Sequence, residues 1–392
     1  MSRKEFFLLG TLALVQFTNI MDFMIIMPLG PQLIDLFKIG PKEFSLLVAS
    51  YTYTAGFVNF MGIFFLDRYN RKSALLIAYI GFILGTLFCF FANSYELLLL
   101  ARVLTGMFGG VLSSISFSIL GDSIPIERRG TATGIVMISF PLATTLGVPA
   151  GLYFANIYTW NAPFLILVGL GSLVFAMILF FIPQMKSHFS NQSKNPFPIL
   201  KNFLTNWNQI KALTLMAFMM FGQMSIIPFI TLYSVGNIGI KNMELPYIYL
   251  FGGISNFVGM PLIGKLCDKI GFGKGFFIVV TLSLIPIFLI TNVSGVSLIV
   301  WLICTTLFML LVGGRIVPAL SLITSTVLPQ NRGSFMSFVS SIQQLFSGLA
   351  VTVSGFIVSK SITGELIGYN LVGYIAITCT IVSIPLDRKS VV

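Results

Sequence analysis

The sequence is dominated by apolar stretches of about 20 residues, separated by short segments that carry nearly all of the charges. A helix of that length crosses the hydrocarbon core of a bilayer, and it satisfies its own backbone hydrogen bonds there. Only 9% of the residues are charged, against about 25% in a typical soluble domain. A soluble protein this poor in charge could not cover its surface, so the chain is predicted to be an all-α membrane protein.

Twelve membrane-spanning helices are predicted from the lengths of these stretches. They lie at residues 6–29, 44–66, 73–92, 97–121, 131–156, 161–183, 209–234, 245–266, 272–293, 297–325, 334–358 and 365–386. The first stretch follows Arg3 and Lys4, as in a signal peptide, but it is too long, contains Asp22 and lacks a small-residue cleavage site. We therefore expect it to remain as the first helix.

Most of the 23 Lys and Arg residues fall on one side of the predicted spans. The exceptions are Lys38, Lys42, Lys241 and Lys360 on the opposite side, and Arg102 and Arg315 within spans. Because Lys and Arg concentrate in cytoplasmic loops, we expect a multi-pass protein of the cell inner (plasma) membrane with both termini in the cytoplasm. Since the positive charges lie in these short loops, we interpret the net charge of +11 as a consequence of membrane topology and not as a sign of nucleic-acid binding.

The two halves of the sequence resemble each other at an offset near 200 residues. The matching pairs are Pro28 with Pro228, segment 67–70 with 268–271, and segment 125–130 with 329–333. Two such halves, related by a pseudo-twofold axis along the membrane normal, form a transporter architecture with a binding site at their interface. The predicted domains are an N-terminal six-helix bundle (1–183), a cytoplasmic linker (184–208) and a C-terminal six-helix bundle (209–392).

Two loops carry matching motifs. After the eighth span the sequence reads Gly264-Lys265-Leu266-Cys267-Asp268-Lys269-Ile270-Gly271, and after the second it keeps Asp67, Arg68, Arg71 and Lys72, with Ile63 and Asn70 at the glycine positions. This pattern resembles the G-x-L-x-D-R-x-G-R-K loop of the major facilitator superfamily, and the resemblance covers essentially the whole chain. It implies a fold of two pseudo-symmetric six-helix bundles, secondary transport of a small molecule and, in most relatives, a monomer.

The resemblance also implies a cytoplasmic gate. In relatives, acids and arginines of this loop hold the cytoplasmic helix ends together when the protein faces outward. Arg68 or Arg71 could bridge Asp67 to Asp122 by charge-assisted hydrogen bonds; alternatively, these residues are ordinary positive-inside charges. The predicted gate residues are Asp67, Arg68, Arg71, Asp122, Arg129, Asp268 and Lys269.

Three charged residues are predicted deep within spans, where a charge is costly and a functional role is the default expectation. Asp22 lies in the first helix and could exchange a proton or a cationic substrate, or be a hydrogen-bonded packing residue. Arg102 lies in Leu98-x-x-x-Arg102-x-x-x-Gly106, which resembles a helix-4 motif of the superfamily; its alternative is to extend to the outer interface. Arg315 could be the counter-ion of Asp22, bind an anionic group or form a structural pair.

Further residues suggest export and a cavity. Gly147, Pro149 and Gly151 in the fifth helix resemble a shortened form of the Gly-Pro-rich signature of exporters, including drug and sugar efflux members of the superfamily. The polar residues that could line a central cavity, or make packing hydrogen bonds instead, are Asn19, Tyr51, Gln223, Tyr249, Asn256, Gln343 and Gln344.

The leading prediction is proton-coupled efflux of a small organic molecule by alternating access, resembling the twelve-helix drug:proton antiporters, with Asp22, Arg102 and Arg315 as coupling residues. The alternative is a symporter or facilitator that imports a sugar, an organic acid or another nutrient. An enzyme is disfavoured: the four cysteines lack metal-ligand spacing, His188 is the only histidine and no nucleotide-binding loop occurs. We expect no metal or cofactor, and the expected partners are substrate, protons and lipid, without nucleic acid.

Overall fold

Long helices make up most of the chain. The computed structural model describes residues 3–65, 70–125, 128–184, 203–327 and 332–387. The long helical segments within these ranges are α1 (Arg3–Ile25), α2 (Pro41–Phe65), α3 (Arg71–Phe91), α4 (Tyr95–Ser123), α5 (Arg129–Ile157), α6 (Ala162–Phe181), α7 (Trp207–Gly236), α8 (Leu245–Ile270), α9 (Phe272–Asn292), α10 (Leu298–Ser325), α11 (Arg332–Ile357) and α12 (Tyr369–Asp387). The predicted all-α fold is confirmed. Most of the predicted linker at 184–208 lies outside the described residues.

The helices have the dimensions of membrane spans. In the described part of the chain, 10 helices are long and apolar enough to cross a membrane, and α12 contains a shorter apolar stretch, Tyr369–Pro385. Large apolar side chains cover the outside of the helices; Phe180, for example, is 82% exposed and Leu173 is 66% exposed. Such a surface suits contact with lipid rather than with water. The chain is therefore a multi-pass membrane protein.

The end of the first helix differs from the prediction, which extended it to residue 29. α1 ends at Ile25, and a short helix, Gly30–Phe37, follows a turn. Pro28 accounts for the break, because proline has no backbone N–H and disfavours helical backbone in the preceding residue. Lys38, the residue that follows this short helix, has a left-handed backbone conformation with φ of 52°.

A small antiparallel hairpin joins α11 to α12. Its second strand lies at the start of the segment predicted as the last helix, 365–386. Its strands are β1 (Ser359–Lys360) and β2 (Leu366–Ile367). Gly364 and Gly368 have φ of 90° and 83°, a conformation that glycine adopts readily and other residues rarely do. The chain therefore turns here, and α12 begins only at Tyr369.

The helices alternate in direction, so the molecule has two ends. We call the end where α1 begins and α12 ends the termini face, and the opposite end, which carries the hairpin, the hairpin face. At the termini face Phe7 stacks on Phe181 with ring centroids 4.7 Å apart, and Lys72 Nζ donates to the Leu179 carbonyl at 2.6 Å. The distribution of Lys and Arg predicts that this face is cytoplasmic.

α2 of the first six helices packs along α11 of the last six. Near the middle of this contact, Tyr53 Oη lies 3.1 Å from Thr352 Oγ1. Nearer the termini face, Asn59 Nδ2 donates to Ser340 Oγ at 3.0 Å. The two helices therefore meet over much of their length.

The hairpin face is closed by contacts between the same two sets of helices. Lys360 of β1 forms an ion pair with Asp35 of the short helix, with Nζ 2.9 Å from Oδ1. Deeper in the protein, Thr231 Oγ1 of α7 donates to the Met27 carbonyl at 3.0 Å. These bonds would have to break before the hairpin face could open.

We expect Gly253→Ala to destabilise the protein, because α5 and α8 touch at this glycine. An added Cβ would lie 2.6 Å from the backbone N and Cα of Thr145, and overpacking of this kind costs about 1–3 kcal/mol. The melting temperature in detergent should fall. Gly134→Ala in α5 is the control, since no atom lies within 4 Å of its added Cβ. Equal melting temperatures for the two variants would contradict a tight α5–α8 contact.

Candidate functional site

The structure brings Asp22 and Arg102 together as a buried ion pair. Arg102 Nη1 of α4 lies 2.8 Å from Asp22 Oδ2 of α1, and both side chains are 0% exposed. The same nitrogen donates to the Asp22 backbone carbonyl at 3.3 Å, and Thr86 Oγ1 of α3 donates to Asp22 Oδ1 at 3.1 Å. Arg102 thus points into the protein rather than to the outer interface. Asp22 is the one buried acidic side chain among the described residues.

Glycines on α3 and α4 allow the helices around this pair to approach closely. A Cβ on Gly85 would lie 2.9 Å from the Thr105 backbone N, and a Cβ on Gly106 would lie 2.5 Å from the Tyr51 carbonyl oxygen. Backbone atoms therefore occupy the space that side chains would need. The close approach puts Thr86 and Tyr51 beside the ion pair.

Tyr51 and Asn19 cover the pair from one side. The Arg102 guanidinium carbon lies 4.7 Å from the Tyr51 ring centroid, a cation–π distance. Tyr51 Oη donates to Asn19 Oδ1 at 2.8 Å, and Asn19 Nδ2 donates to the Gly109 carbonyl at 3.3 Å. Both residues were predicted to line a cavity; here they form a closed layer over a charged pair.

Arg315 lies elsewhere, so the hypothesis that it is the counter-ion of Asp22 is wrong. Its Nη1 donates to Thr380 Oγ1 of α12 at 3.1 Å, and its Nη2 donates to the Met219 carbonyl of α7 at 3.1 Å. The residue is fully buried at the point where α10 is interrupted, between Gly314 and Ile316. Its observed partners are a hydroxyl and a backbone carbonyl, as expected for a structural role.

The remaining predicted lining residues are dispersed. Asn256 and Tyr249 of α8 are buried, whereas Gln223, Gln343 and Gln344 are partly exposed. A cavity of about 840 Å³ lies at the termini face between α1, α4 and α6. It is lined by Arg3, Lys4, Glu5, Phe7, Leu8, Asp122, Ser123, Ile124, Phe180, Phe181 and Pro183, so it contains none of the predicted lining residues.

The predicted gate is described only in part. Arg71 Nε of α3 lies 3.4 Å from Asp122 Oδ2 of α4, so these two helix ends are joined at the termini face. Arg129 Nε donates to the Ile124 carbonyl at 2.9 Å. Asp268 and Lys269 are exposed near the end of α8, with no ion pair to another described residue. Asp67 and Arg68 lie outside the described residues.

The Gly-Pro segment of α5 packs against α1 beside the ion pair. α5 contains a π-helical turn at Ala143–Gly147, and an α-helical segment follows with Pro149 in its first turn. A Cβ on Gly147 would lie 3.0 Å from Met21 Sδ, and one on Gly151 would lie 2.6 Å from Ile25 Cδ1. The motif thus sets the spacing between α5 and the part of α1 that carries Asp22.

Two neighbours of the ion pair, Thr86 and Cys89, are not among the site residues predicted from the sequence. Thr86 donates to Asp22, and Cys89, one turn further along α3, has its sulfur 3.9 Å from Thr105 Oγ1. Isolated small polar residues in an apolar helix give no signal that distinguishes them from packing residues. Within the described residues, no group of His, Cys, Asp and Glu could hold a metal ion.

The family assignment comes from comparison with known proteins. The profile described as Major Facilitator Superfamily matches residues 12–386. The chain belongs to the major facilitator superfamily. It is therefore a membrane transporter and not an enzyme.

Individual relatives are distant. "Vacuolar membrane amino acid uptake transporter fnx2" of Schizosaccharomyces pombe is 36% identical over 148 residues, which cover 36% of this chain but only 26% of that protein. "Uncharacterized MFS-type transporter YwfA" of Bacillus subtilis is 26% identical over 98% of this chain and 93% of its own length. "Multidrug resistance protein 3" of Bacillus subtilis is 31% identical over 31% of this chain and 24% of its own length.

A solved transporter has the same fold. The inward-facing, unoccupied structure of a bacterial homologue of the human lysosomal transporter Spinster aligns with a TM-score of 0.72. The alignment covers 91% of this chain and 83% of the other, at 18% sequence identity. At that identity the likeness concerns the fold alone.

Proposed function

We propose that the protein is a proton-coupled exporter of a small organic molecule that works by alternating access. It acts in the cell inner (plasma) membrane with both termini in the cytoplasm, as a monomer without a cofactor. Two six-helix bundles, 1–183 and 209–392, joined by the linker at 184–208, move relative to each other around the substrate. The termini face is then cytoplasmic and the hairpin face is external.

The observation that carries this proposal is the Asp22–Arg102 ion pair. A charged pair buried within the membrane requires mutual neutralisation, and the removal of one charge leaves the other uncompensated. Protonation of Asp22 would therefore weaken its bond to Arg102 and favour a rearrangement of α1 and α4. The binding of a single proton would thus determine the relative position of α1 and α4.

The contacts between the halves support alternating access. The Lys360–Asp35 and Thr231–Met27 bonds hold the hairpin face closed, so the structure corresponds to a state that is shut on the proposed external side. Return to the outward state would break these bonds and close the termini face instead. We propose that Arg71 and Asp122, with Asp67, Arg68, Arg129, Asp268 and Lys269, form the cytoplasmic gate in that state.

Export is favoured over import by two observations. The Gly147, Pro149 and Gly151 segment packs on α1 beside Asp22, and it resembles the helix-5 signature of exporters. The name of one relative, Multidrug resistance protein 3, refers to drug resistance, which efflux can confer. The alternative, import of a nutrient by a symporter or facilitator, is favoured by the name of fnx2, an amino acid uptake transporter.

We expect Asp122→Asn to lower transport a few-fold without loss of expression. Asp122 is 32% exposed, and an ion pair at such a position is worth only about 0.2–1 kcal/mol. Loss of the gate contacts that Asp122 makes in the outward-facing state should therefore shift the population only modestly toward the inward-facing state. Single cysteines at the two faces, labelled with a maleimide, measure that shift. Glu96→Gln is the matched control, because Glu96 is an exposed acid at the opposite end of α4 and forms no ion pair with another described residue. Unchanged labelling in Asp122→Asn would remove Asp122 from the gate.

The experiment that tests the function uses inverted membrane vesicles with an acidic interior. A pH-sensitive dye reports the gradient while a panel of cationic, neutral and anionic compounds is added. An exporter coupled to protons should release the gradient when its substrate is added, and it should accumulate that substrate in the vesicles. Accumulation that requires the opposite gradient would instead identify an importer.

A further inference from the structure

We propose that Tyr51 is a lid that controls proton access to Asp22, and that the contact between α2 and α11 determines when the lid opens. The inference rests on the proposed role of Asp22 and extends it. It makes Tyr51 a positioning residue that acts through Arg102 and Asn19 rather than a binding residue for substrate. A proton can then reach Asp22 only when α2 moves.

Tyr51 forms part of a closed layer of side chains over the Asp22–Arg102 pair. Tyr51 is 3% exposed, and its ring lies against the Arg102 guanidinium, 4.7 Å from ring centroid to guanidinium carbon. Its hydroxyl is held by Asn19 at 2.8 Å, and its ring also contacts the Phe23 ring with centroids 5.1 Å apart. From α3, Thr86 donates to Asp22, and Cys89, one turn further along, is fully buried with its sulfur 3.9 Å from Thr105 Oγ1.

A glycine of α4 leaves space for the side chains that form the lid. A Cβ on Gly109 would lie 2.5 Å from Tyr51 Oη and 2.7 Å from Asn19 Oδ1. Any larger residue at this position would collide with the two polar atoms that close the layer. The absence of a side chain at Gly109 therefore leaves room for the hydrogen bond between Tyr51 and Asn19, which explains a glycine at this turn of α4.

The helix that carries the lid also contacts the other half of the molecule. The next two residues of α2, Thr52 and Tyr53, contact α11. A Cβ on Gly348 would lie 2.7 Å from Thr52 Oγ1, and Tyr53 Oη lies 3.1 Å from Thr352 Oγ1. Because Tyr51 belongs to the same helical turn, separation of α2 from α11 would carry it away from Arg102.

The test measures modification of Asp22 by a hydrophobic carbodiimide, which reacts with accessible protonated carboxyl groups, followed by mass spectrometry of the Asp22 peptide. Tyr51→Ala and Gly109→Ala should raise the labelling rate by about ten- to a hundredfold, as expected when a state populated at 1–10% becomes dominant. Tyr51→Phe, which loses only the bond to Asn19, should raise it by a few-fold, corresponding to about 1 kcal/mol. Asp22→Asn verifies the labelled site.

Tyr79→Phe is the matched control. Tyr79 is a buried tyrosine whose hydroxyl lies 2.9 Å from Thr18 Oγ1 of the same helix as Asp22, but it does not contact Arg102. Its replacement should leave the labelling rate unchanged. If Tyr79→Phe raised the rate as much as Tyr51→Phe, the effect would reflect general loosening and the lid would be refuted.

A disulfide tests the connection to α11. In Thr52→Cys/Gly348→Cys the short distance between the two positions favours bond formation, and the oxidised protein should be labelled at least several-fold more slowly than the reduced one. Equal rates would refute the link to α11. If Tyr51→Ala is labelled no faster than the unmodified chain while Asp22→Asn abolishes uphill transport, the lid fails and the proposed function stands. If Asp22→Asn transports uphill normally, the proton role itself fails.

Discussion

Replacement of Asp22 by Asn is expected to abolish uphill accumulation of substrate while leaving downhill exchange intact. Asparagine keeps the size of the side chain, but its amide group neither gains nor loses a proton at the pH values of a transport assay. With one proton exchanged per substrate, a gradient of one pH unit supports roughly tenfold accumulation, since a factor of ten corresponds to about 1.4 kcal/mol. In Asp22→Asn this accumulation should fall to equal concentrations on both sides of inverted vesicles.

Glu365→Gln is the matched control for this experiment. Glu365 carries the same carboxyl group, but it is exposed at the hairpin face and forms no ion pair with another described residue. Its replacement should preserve accumulation. A packing role for Asp22 gives a different outcome, because an amide supplies similar hydrogen bonds: Asp22→Asn would then accumulate substrate normally, and coupling would have to reside in another group.

The second large effect is expected for Arg102→Met, which should destabilise the protein by about 3–5 kcal/mol, the cost of leaving one member of a buried ion pair unpaired. Thermal unfolding in detergent measures the loss. The double variant Asp22→Asn/Arg102→Met removes both charges and should regain most of the stability, although it should not transport uphill. A double variant that is as unstable as Arg102→Met would show that Arg102 stabilises the protein through packing rather than through its bond to Asp22.

Arg315→Met provides the comparison for that experiment. Arg315 is equally buried, but its observed partners are Thr380 and the Met219 carbonyl. Its loss leaves no carboxylate uncompensated, so its cost should be smaller than that of Arg102→Met. Similar costs for the two substitutions would indicate that burial of the arginine, not the charge of Asp22, determines the effect.

Much of the fold follows from local properties of the sequence. An apolar stretch of about 20 residues determines a membrane helix by itself, so the spans were predicted to within a few residues. The exceptions depend on single residues: Pro28 ends α1 early, and Gly364 and Gly368 allow a hairpin before α12. Proline and glycine change where a helix ends through the backbone angles that they allow, and the hydrophobicity of a segment contains no information about these angles.

The sequence predicted the main residues of the candidate site but not the contacts between them. Asp22 and Arg102 were identified because a charge in a membrane helix is conspicuous. Their pairing was not predicted. Arg315 was the counter-ion considered for Asp22, because the sequence does not show which arginine of another helix faces it. The lid was missed for the same reason, since the bond from Tyr51 to Asn19 joins residues of different helices. Such choices depend on tertiary packing, which the spacing of residues within one helix does not determine.

The central claim, that Asp22 carries the coupling proton, is tested most directly by measuring proton release from the purified protein when the substrate found in the vesicle screen is added. The solution is weakly buffered and acidic enough that Asp22 is protonated before the substrate binds. Binding and deprotonation are reciprocal, so the unmodified protein should release roughly one proton per molecule that binds substrate. Asp22→Asn should bind the substrate and release none. Full proton release by Asp22→Asn would contradict the account.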